Sequence, residues 1–423
     1  MNLVLGLIVA VLVGAGATLA WMAGGPPGRR WVPWTPVRVL VLGYLVLDGL
    51  GAVALATSGE GSNGPLLIGT AFVAIGIGAW LMRRLAGPPG IPHGITTGNV
   101  RVWVVAVLVG VGIAMYAWLA ADHGVPLLGA NAQAARLGWG GVRLDLFRWL
   151  VPPAALLCLG FALVTRRHDM AIIAAAALAA VAALEVAFAS RALPLELGLA
   201  ALLVVLWAGR RVDRRGWILT VAAAGLVFFG VLFARVAPGG SFSGPLDTVA
   251  FAVNRAVDRV MLIQPRTIEV VVDVYPAEAP YITGASYVRW LYYLRGVEAP
   301  PPLGSELFRR LFPDEPPGGF ASPGLLGEAY ANFGPVWALL LMIGLGALAA
   351  WTSRWFAHVP PDAATLTFAS LVVVALLRTY ATSLNGFLLT IGAAIGWWLL
   401  VDRNAGRLLA GMRSGPQLPS GGR

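Results

Sequence analysis

The sequence predicts an all-α polytopic membrane protein. Of its 423 residues, 58% are hydrophobic and only 12% are charged. Apolar blocks recur along the chain, and each is close to the roughly 20 residues that an α-helix needs to cross a bilayer. Every backbone polar group in hydrocarbon must be hydrogen-bonded internally, and these blocks are too long for barrel strands. Helices are therefore the expected spanning elements.

The apolar blocks predict about 11 transmembrane helices. The first block has no basic residue before it, whereas Arg29 and Arg30 follow it, so a cleavable signal peptide is not expected. The predicted spans are Leu3–Ala23, Pro36–Thr57, Pro65–Met82, Val102–Ala121, Trp149–Val164, Met170–Ala189, Leu193–Ala208, Trp217–Val236, Pro335–Trp351, Ala364–Thr382 and Gly386–Val401.

Arginines in the short connections predict the orientation of the chain. They fall on alternate connections and in the C-terminal tail, and cytoplasmic loops carry the excess of basic residues. The N-terminus is therefore expected outside and the C-terminus in the cytoplasm. Four regions follow: spans one to eight in 1–236, a large extracytoplasmic loop in 237–333, spans nine to eleven in 334–402, and a cytoplasmic tail in 403–423.

Short amphipathic helices are expected inside the large loop. Leu246–Ile263 has an apolar stripe at helical spacing, and Pro265 is predicted to end this helix. Shorter apolar faces follow at Tyr287–Leu294 and at Leu307–Phe312, the latter with Ser305 as its predicted cap. Such helices suit the surface of a membrane.

Composition excludes several classes of site. Cys158 is the single cysteine, so intrachain disulfides and thiolate metal clusters are excluded, and the four histidines lack metal-ligand spacing. The net charge of +10 comes from arginines that mostly flank helices, which is usual in membrane proteins and does not indicate nucleic acid.

Two groups of residues are candidates for chemistry. Outward-facing arginines break the expected charge bias, and guanidinium groups bind phosphate in a bidentate manner. Any one of them taken alone is better explained as a snorkelling or solvated side chain, and only the set suggests a ligand. Arg378 is expected about one turn inside the outer end of the tenth span. The other group comprises acids in or near predicted spans, which are Asp48, Glu185, Glu196 and Glu328.

Glu328 lies in the stretch Ser322–Gly334, together with Tyr330 and Asn332, just before the ninth predicted span. A carboxylate, a phenol and an amide crowded at a membrane entry point are costly unless they have a role. The alternative is structural: Glu328 pairs with an arginine of the loop. For Asp48 the corresponding alternative is a hydrogen bond to neighbouring helices.

Two stretches carry a resemblance to a known family. GVPLLGANAQAARLGWGG (Gly124–Gly141) and SPGLLGEAYANFGPVWALLLMIGLG (Ser322–Gly346) resemble segments of the Wzy-type polymerases of O-antigen and exopolysaccharide repeat units. The turn at Ser190–Arg191 and the stretch GASYVRWL (Gly284–Leu291) fit the same pattern more weakly. The Arg-x10-Gly pattern of some such polymerases is absent from the outer connections, so no arginine is assigned by that motif.

The resemblance implies a membrane glycosyltransferase with a GT-C-like helical fold and no metal or other cofactor. It would join undecaprenyl-diphosphate-linked oligosaccharide repeat units into polysaccharide on the outer face of the cytoplasmic (inner) membrane. Glu328 would deprotonate the acceptor hydroxyl, with Tyr330 and Asn332 positioning sugar. Arginines would stabilise the charge that develops on the diphosphate. The candidate arginines are Arg136, Arg191, Arg255, Arg259 and Arg378.

The implied partners are the lipid-linked oligosaccharide, membrane lipids, a chain-length regulator and a lipid-glycan flippase, without nucleic acid. O-antigen ligases also have a large outer loop, but they resemble one another in a loop histidine, and 237–333 contains none. Another GT-C glycosyltransferase would show acidic pairs in its first outer loop, where this chain offers only Glu60. A proton-coupled transporter would use Asp48 and Glu185, and matched interrupted helices would favour it. A non-catalytic partner in polysaccharide export is the last alternative.

Overall fold

The structure is a computed structural model that describes most of the chain. It covers residues 2–24, 34–86, 100–128, 142–188, 192–210, 212–218, 258–288, 302–313, 319–359 and 362–403, together with Thr220, Ala222, Gly225, Leu226 and Asn254. Within these residues the fold is all-helical, and they include no β-strand. The class predicted from composition is confirmed to this extent: a helical protein of membrane type.

The helices of the first half of the chain follow the apolar blocks. They are α1 (Asn2–Ala23), α2 (Pro36–Tyr44), α3 (Leu50–Ser58), α4 (Asn63–Ala86), α5 (Val102–His123), α6 (Val142–Thr165), α7 (His168–Ala187) and α8 (Ala192–Trp207). A π-helical turn, Leu45–Gly49, joins α2 to α3. Thr35 caps α2 by accepting from the Arg38 N–H, as a threonine before a proline-initiated helix is suited to do.

The helices of the second half begin in the predicted loop. They are α9 (Ile263–Val274), α10 (Leu303–Leu311), α11 (Gly324–His358), α12 (Ala363–Arg378) and α13 (Leu384–Val401). A second π-helical turn, Asp258–Leu262, leads directly into α9. The prediction that a helix ends at Pro265 is wrong, because this proline lies in the first turn of α9, where a missing N–H costs nothing. The prediction of Ser305 as a cap is also wrong, because α10 begins earlier, with Pro302 at the cap position.

Eight helices of the described part are long and apolar enough to cross a membrane, with α2 and α3 counted as one helix across the π-helical turn. Two further apolar helices, α8 and α12, are shorter. These elements coincide with ten of the predicted spans. The remaining predicted span, Trp217–Val236, lies mostly outside the described residues, as does most of the predicted helix Leu246–Ile263. A total of 11 spans therefore stays a prediction.

The chain divides into two compact units. The first unit takes its residues from Met1–Gly90, Phe242–Trp355 and Val373–Leu389, and the second from Ile91–Ser241, Phe356–Val372 and Thr390–Arg423. All the described residues of the predicted site belong to the first unit. The division predicted at residues 236, 333 and 402 concerns membrane topology, and it stays a prediction.

Close helix packing holds the first unit together. A Cβ built on Gly78 of α4 would overlap the Ile343 carbonyl oxygen of α11, and one built on Gly346 of α11 would overlap the Ile75 carbonyl oxygen of α4. Small residues at helix crossings let backbones approach in this way, which supplies the van der Waals contact that holds helices together in lipid. The reciprocal pair fixes α11, which carries Glu328, against α4.

Aromatic contacts and helix-end hydrogen bonds hold the second unit. Tyr116 of α5 packs on Phe147 of α6, with ring centroids 4.8 Å apart, and its hydroxyl donates to the Leu184 carbonyl of α7 at 2.8 Å. The Arg101 guanidinium donates to the Leu400 carbonyl, at the C-terminal end of α13, at 2.8 Å. A cation at this end of a helix complements its partial negative charge.

Candidate functional site

The helix α11 consists of two helical segments separated at Gly334. This glycine has φ 81° and ψ −172°, outside the helical region, and Pro335 follows it. A side chain here would be strained, and a Cβ would lie 2.9 Å from the Tyr281 hydroxyl oxygen. The second segment begins at Pro335, as the ninth predicted span does. The first segment, 324–333, carries Glu328, Tyr330 and Asn332, so these three residues precede the helix that begins at Pro335.

The Glu328 side chain is buried, with 4% of the residue exposed. Its Oε2 accepts a hydrogen bond from the backbone N–H of Leu384, the first residue of α13, at 2.6 Å. The Ser286 hydroxyl also bonds to this carboxylate. Among the described residues no basic side chain pairs with Glu328, so the partner expected on the structural alternative, a loop arginine, is replaced by a helix N-terminus. A carboxylate at this position balances an unpaired N–H and the positive end of the helix.

Asn332 links the same cluster to the loop. Its Oδ1 accepts from the Gly284 N–H at 2.8 Å, and its Nδ2 donates to the Ser286 hydroxyl oxygen and to the Glu328 carbonyl oxygen, both at 2.7 Å. The residue is fully buried. The amide thus makes its hydrogen bonds within the chain, and these bonds hold the segment 282–288 against the first segment of α11. We name Glu328, Asn332 and Ser286, with the N–H groups of Gly284 and Leu384, the Glu328 cluster.

Backbone hydrogen bonds strengthen this link. The Ile282 N–H donates to the Ala331 carbonyl at 3.0 Å, and the Thr283 N–H donates to the Asn332 carbonyl at 3.1 Å. Those carbonyls lie in the last turn before the kink, where they have no partner within the helix. The kink at Gly334 therefore lets the loop satisfy the end of one helical segment while the next begins.

Tyr330 lies beside Tyr281, with ring centroids 6.3 Å apart and planes at 73°. This edge-to-face arrangement favours packing. Tyr330 is 9% exposed, so its ring is part of the packed interior of the unit. Its predicted role in positioning sugar is neither supported nor contradicted by this placement.

The N-terminus of α11 meets the end of α12. The Leu325 N–H donates to the Thr379 carbonyl at 2.7 Å, and Gly324, with φ 62°, packs so closely that a Cβ would overlap the Tyr380 carbonyl oxygen. The sequence predicted that Arg378 lies one turn inside its helix. This prediction is wrong, because Arg378 is the last residue of α12. Its charge complements the C-terminal end of that helix and lies one residue from the contact with the Glu328 helix.

A second loop carboxylate anchors the loop to a membrane helix. Both oxygens of Glu269, on α9, accept backbone N–H groups at the start of α4, from Ser62 at 2.9 Å and from Gly64. Arg266, one turn earlier on α9, forms an ion pair with Glu60 at 2.6 Å. Together these contacts attach α9 to the α3–α4 connection.

The other predicted diphosphate ligands lie outside what the structure describes. Arg136, Arg191 and Arg255 belong to residues that are not described, and Arg259 is placed by its backbone in the second π-helical turn without a described side chain. Of the predicted site, the structure therefore brings together Glu328, Tyr330 and Asn332, with the end of α12 that carries Arg378 beside them.

The negative charge of Glu328 also acts on the neighbouring phenol of Tyr287. Burial, helped by the negative charge of Glu328, raises the pKa of Tyr287 to about 12. The phenol therefore keeps its proton at neutral pH. No group of three or more His, Cys, Asp or Glu side chains that could hold a metal occurs within the described ranges. The expected absence of a cofactor stays a prediction.

Sequence reasoning missed three members of the cluster, which are Ser286 and the N–H groups of Gly284 and Leu384. Ser286 lies in the stretch GASYVRWL, which carried a weak resemblance, so that resemblance was the signal that could have found it. The Leu384 N–H had no signal, because a backbone donor is not visible in a sequence. Comparison of the chain with protein-family models, with curated proteins and with solved structures found no match.

Proposed function

We propose that this chain is a membrane glycosyltransferase that polymerises polyprenyl-diphosphate-linked oligosaccharide repeat units, with Glu328 as the general base. The observation that carries this proposal is a contact between two separate stretches. The stretches 322–346 and 284–291 resemble the same polymerase family, and hydrogen bonds through Asn332 and Ser286 join them at the Glu328 carboxylate.

The chemistry fits a buried carboxylate at the base of a large loop. In the proposed step the acceptor sugar hydroxyl attacks the anomeric carbon of the donor. Its proton passes to Glu328, and the bond to the lipid diphosphate breaks with its electron pair on the diphosphate oxygen. General base catalysis of this kind typically contributes about 10²–10⁴-fold in rate. An arginine at the end of α12 would stabilise charge on the leaving diphosphate.

Access to Glu328 requires a movement, because the side chain is covered in this structure. The segment 282–288 and Asn332 form the cover. In the proposed cycle the acceptor end of the glycan replaces the Ser286 hydroxyl as the partner of the carboxylate, while the Leu384 N–H keeps its bond. Asn332 and Tyr330 then act on sugar indirectly, by holding the segment that the glycan displaces.

The test uses the purified full-length protein in liposomes with lipid-linked repeat units extracted from a native host that lacks the gene. Product length is read by gel electrophoresis and mass spectrometry. Wild type should give long chains and release lipid diphosphate. Glu328→Gln should give single units, with a rate about 10²–10⁴-fold lower, because the amide oxygen still accepts from the Leu384 N–H but takes no proton.

A matched control is Asp273→Asn, an exposed acid on α9 in the same unit, which should polymerise like wild type. Partial burial, with the charges of Glu269 and Glu278, raises the pKa of Asp273; its carboxylate lies near Tyr330 but makes no described hydrogen bond to the Glu328 cluster. Normal chain lengths from a stably folded Glu328→Gln protein would show that Glu328 is not the general base and that it only caps α13. If the wild-type protein does not polymerise and instead shows uptake driven by a proton gradient, the chain is a transporter and not an enzyme.

A further inference from the structure

A second buried acid, Asp48, has an environment quite unlike that of Glu328. It lies near the middle of the helix Pro36–Ser58, within the π-helical turn Leu45–Gly49, and is 3% exposed. Its Oδ1 has no hydrogen-bond partner, and within the described part of the chain no basic side chain pairs with it. An ionised carboxylate in an apolar interior is strongly unfavourable unless a positive charge or a proton neutralises it.

The backbone around Asp48 is also unusual. Two π-helical turns pack against each other, Leu45–Gly49 and Asp258–Leu262. A Cβ on Gly51 would overlap the Met261 carbonyl oxygen, so this carbonyl sits directly on the helix one turn beyond Asp48. Single π-helical turns inside α-helices occur frequently at functional sites.

Neighbouring polar groups leave oxygen lone pairs for a ligand. The Thr379 hydroxyl donates to the Leu376 carbonyl at 2.5 Å, so the bond of 2.6 Å between Tyr44 and Thr379 must use the Tyr44 proton. The Tyr44 oxygen, one turn before Asp48, therefore keeps its acceptor capacity.

Among the side chains that the structure describes, no fixed charge compensates the acid. On α9, Arg266 is paired with Glu60, and Glu269 is bound at the start of α4. The titratable or charged groups on the elements packed against the first π-helical turn are Arg38 and Tyr44 on α2, Arg83 and Arg84 at the far end of α4, Asp258 and Arg259 in the second turn, and Arg266, Glu269 and Asp273 on α9. The side chain of Arg259 is outside the described residues, and α1 and α3 carry no charged side chain.

We propose that Asp48 is the centre of an intramembrane binding site for a monovalent cation, H⁺ or Na⁺, with the Tyr44 oxygen beside it. The two ions share the required chemistry, because each neutralises one carboxylate, and oxygen atoms are the ligands that hard cations prefer. The site is independent of the Glu328 chemistry.

The test is infrared difference spectroscopy on the purified full-length protein in lipid nanodiscs. In choline buffer at neutral pH, without Na⁺, wild type should show the carbonyl stretch of a protonated carboxyl group, and Asp48→Asn should lack it. Asp273→Asn, which removes an exposed acid, should keep the band. Addition of NaCl then distinguishes the ions: loss of the band, with a rise in midpoint temperature that Asp48→Asn does not show, assigns Na⁺, and an unchanged band assigns H⁺.

An ionised Asp48 in choline buffer at neutral pH would overturn the proposal, since it would mean that the protein neutralises the carboxylate by other means. The same holds if Asp48→Asn leaves the band in place. If Asp48→Asn does not fold, Asp48→Glu serves in its stead, because a glutamic acid should shift the band rather than remove it. Polymerisation is not part of this readout, so the cation site and the proposed enzyme can fail separately.

Discussion

Glu328 and Asp48 are two acids of the same unit with almost equal burial and opposite surroundings. The Glu328 carboxylate accepts from a backbone N–H at a helix start and from a hydroxyl. Asp48 has an oxygen without any partner, in a turn where the helix geometry changes. Burial alone therefore does not define the role of an intramembrane acid. Donors balance the negative charge at Glu328, whereas Asp48 needs a proton or a cation.

The largest expected loss of stability comes from a substitution at Gly324, which should disturb the surroundings of Glu328 and of Asp48 together. The backbone of Gly324 is left-handed, and a Cβ would overlap the Tyr380 carbonyl oxygen, next to Thr379. Gly324→Ala should lower the free energy of unfolding by roughly 2–5 kcal/mol, the sum of left-handed strain and overpacking. Thermal unfolding of the purified protein in detergent measures this. Gly344→Ala, on the same helix with nothing within 4 Å of its Cβ, should cause no loss; equal losses would contradict the assigned packing.

The next effect sharpens the role of Glu328. Glu328→Ala leaves the buried Leu384 N–H unpaired, which costs roughly 1–3 kcal/mol. It also removes the acceptor of the Ser286 hydroxyl, whose proton can rotate to another partner. Glu328→Gln keeps an acceptor oxygen and should lose much less stability. Comparing both variants by thermal unfolding and by polymerisation separates the cap from the base. If Gln were as destabilising as Ala, the charge itself and not the hydrogen bond would hold α13.

A smaller effect concerns Ser286 alone. Ser286→Ala removes one donor to the carboxylate and one acceptor for Asn332, while Asn332 keeps its bonds to the Gly284 N–H and the Glu328 carbonyl. We expect a loss of about 0.5–1.5 kcal/mol, the usual net value of a hydrogen bond. Ser305→Ala on α10, a serine that caps no helix, is the matched control and should match wild type. Proteolysis of the segment 282–288 should rise for Ser286→Ala only.

The smallest effect lies at Asp48. Asp48→Asn removes a carboxyl group that has an unpartnered oxygen, so little is lost and unfolding should change by less than about 1 kcal/mol. The measurement is thermal unfolding in choline buffer at neutral pH. A loss as large as that of Glu328→Ala would show that Asp48 has a strong partner and would erase the contrast between the two acids.

Local pattern was sufficient to predict the helices and to single out Glu328, whose role stays a prediction. Apolar blocks of membrane length predict helices whatever they pack against, and polar residues beside such a block are costly. One partner of Glu328, the Leu384 N–H, was not predictable, because it lies 56 positions away and belongs to the backbone. The π-helical turn at Asp48 was also invisible, since it depends on packing against the segment after residue 258.

The carboxylate of Glu269 has a consequence for how the protein is made. Ser62, at the start of α4, is 207 positions ahead of the acid that binds its N–H, whereas α13 is synthesised after Glu328. During insertion α4 therefore enters the bilayer before the carboxylate that binds its first N–H groups has been synthesised. In contrast, the carboxylate that binds the first N–H of α13 is synthesised before α13. The first turn of α4 is completed only when α9 emerges from the ribosome, and truncated chains that stop before it should be targets for quality-control proteolysis.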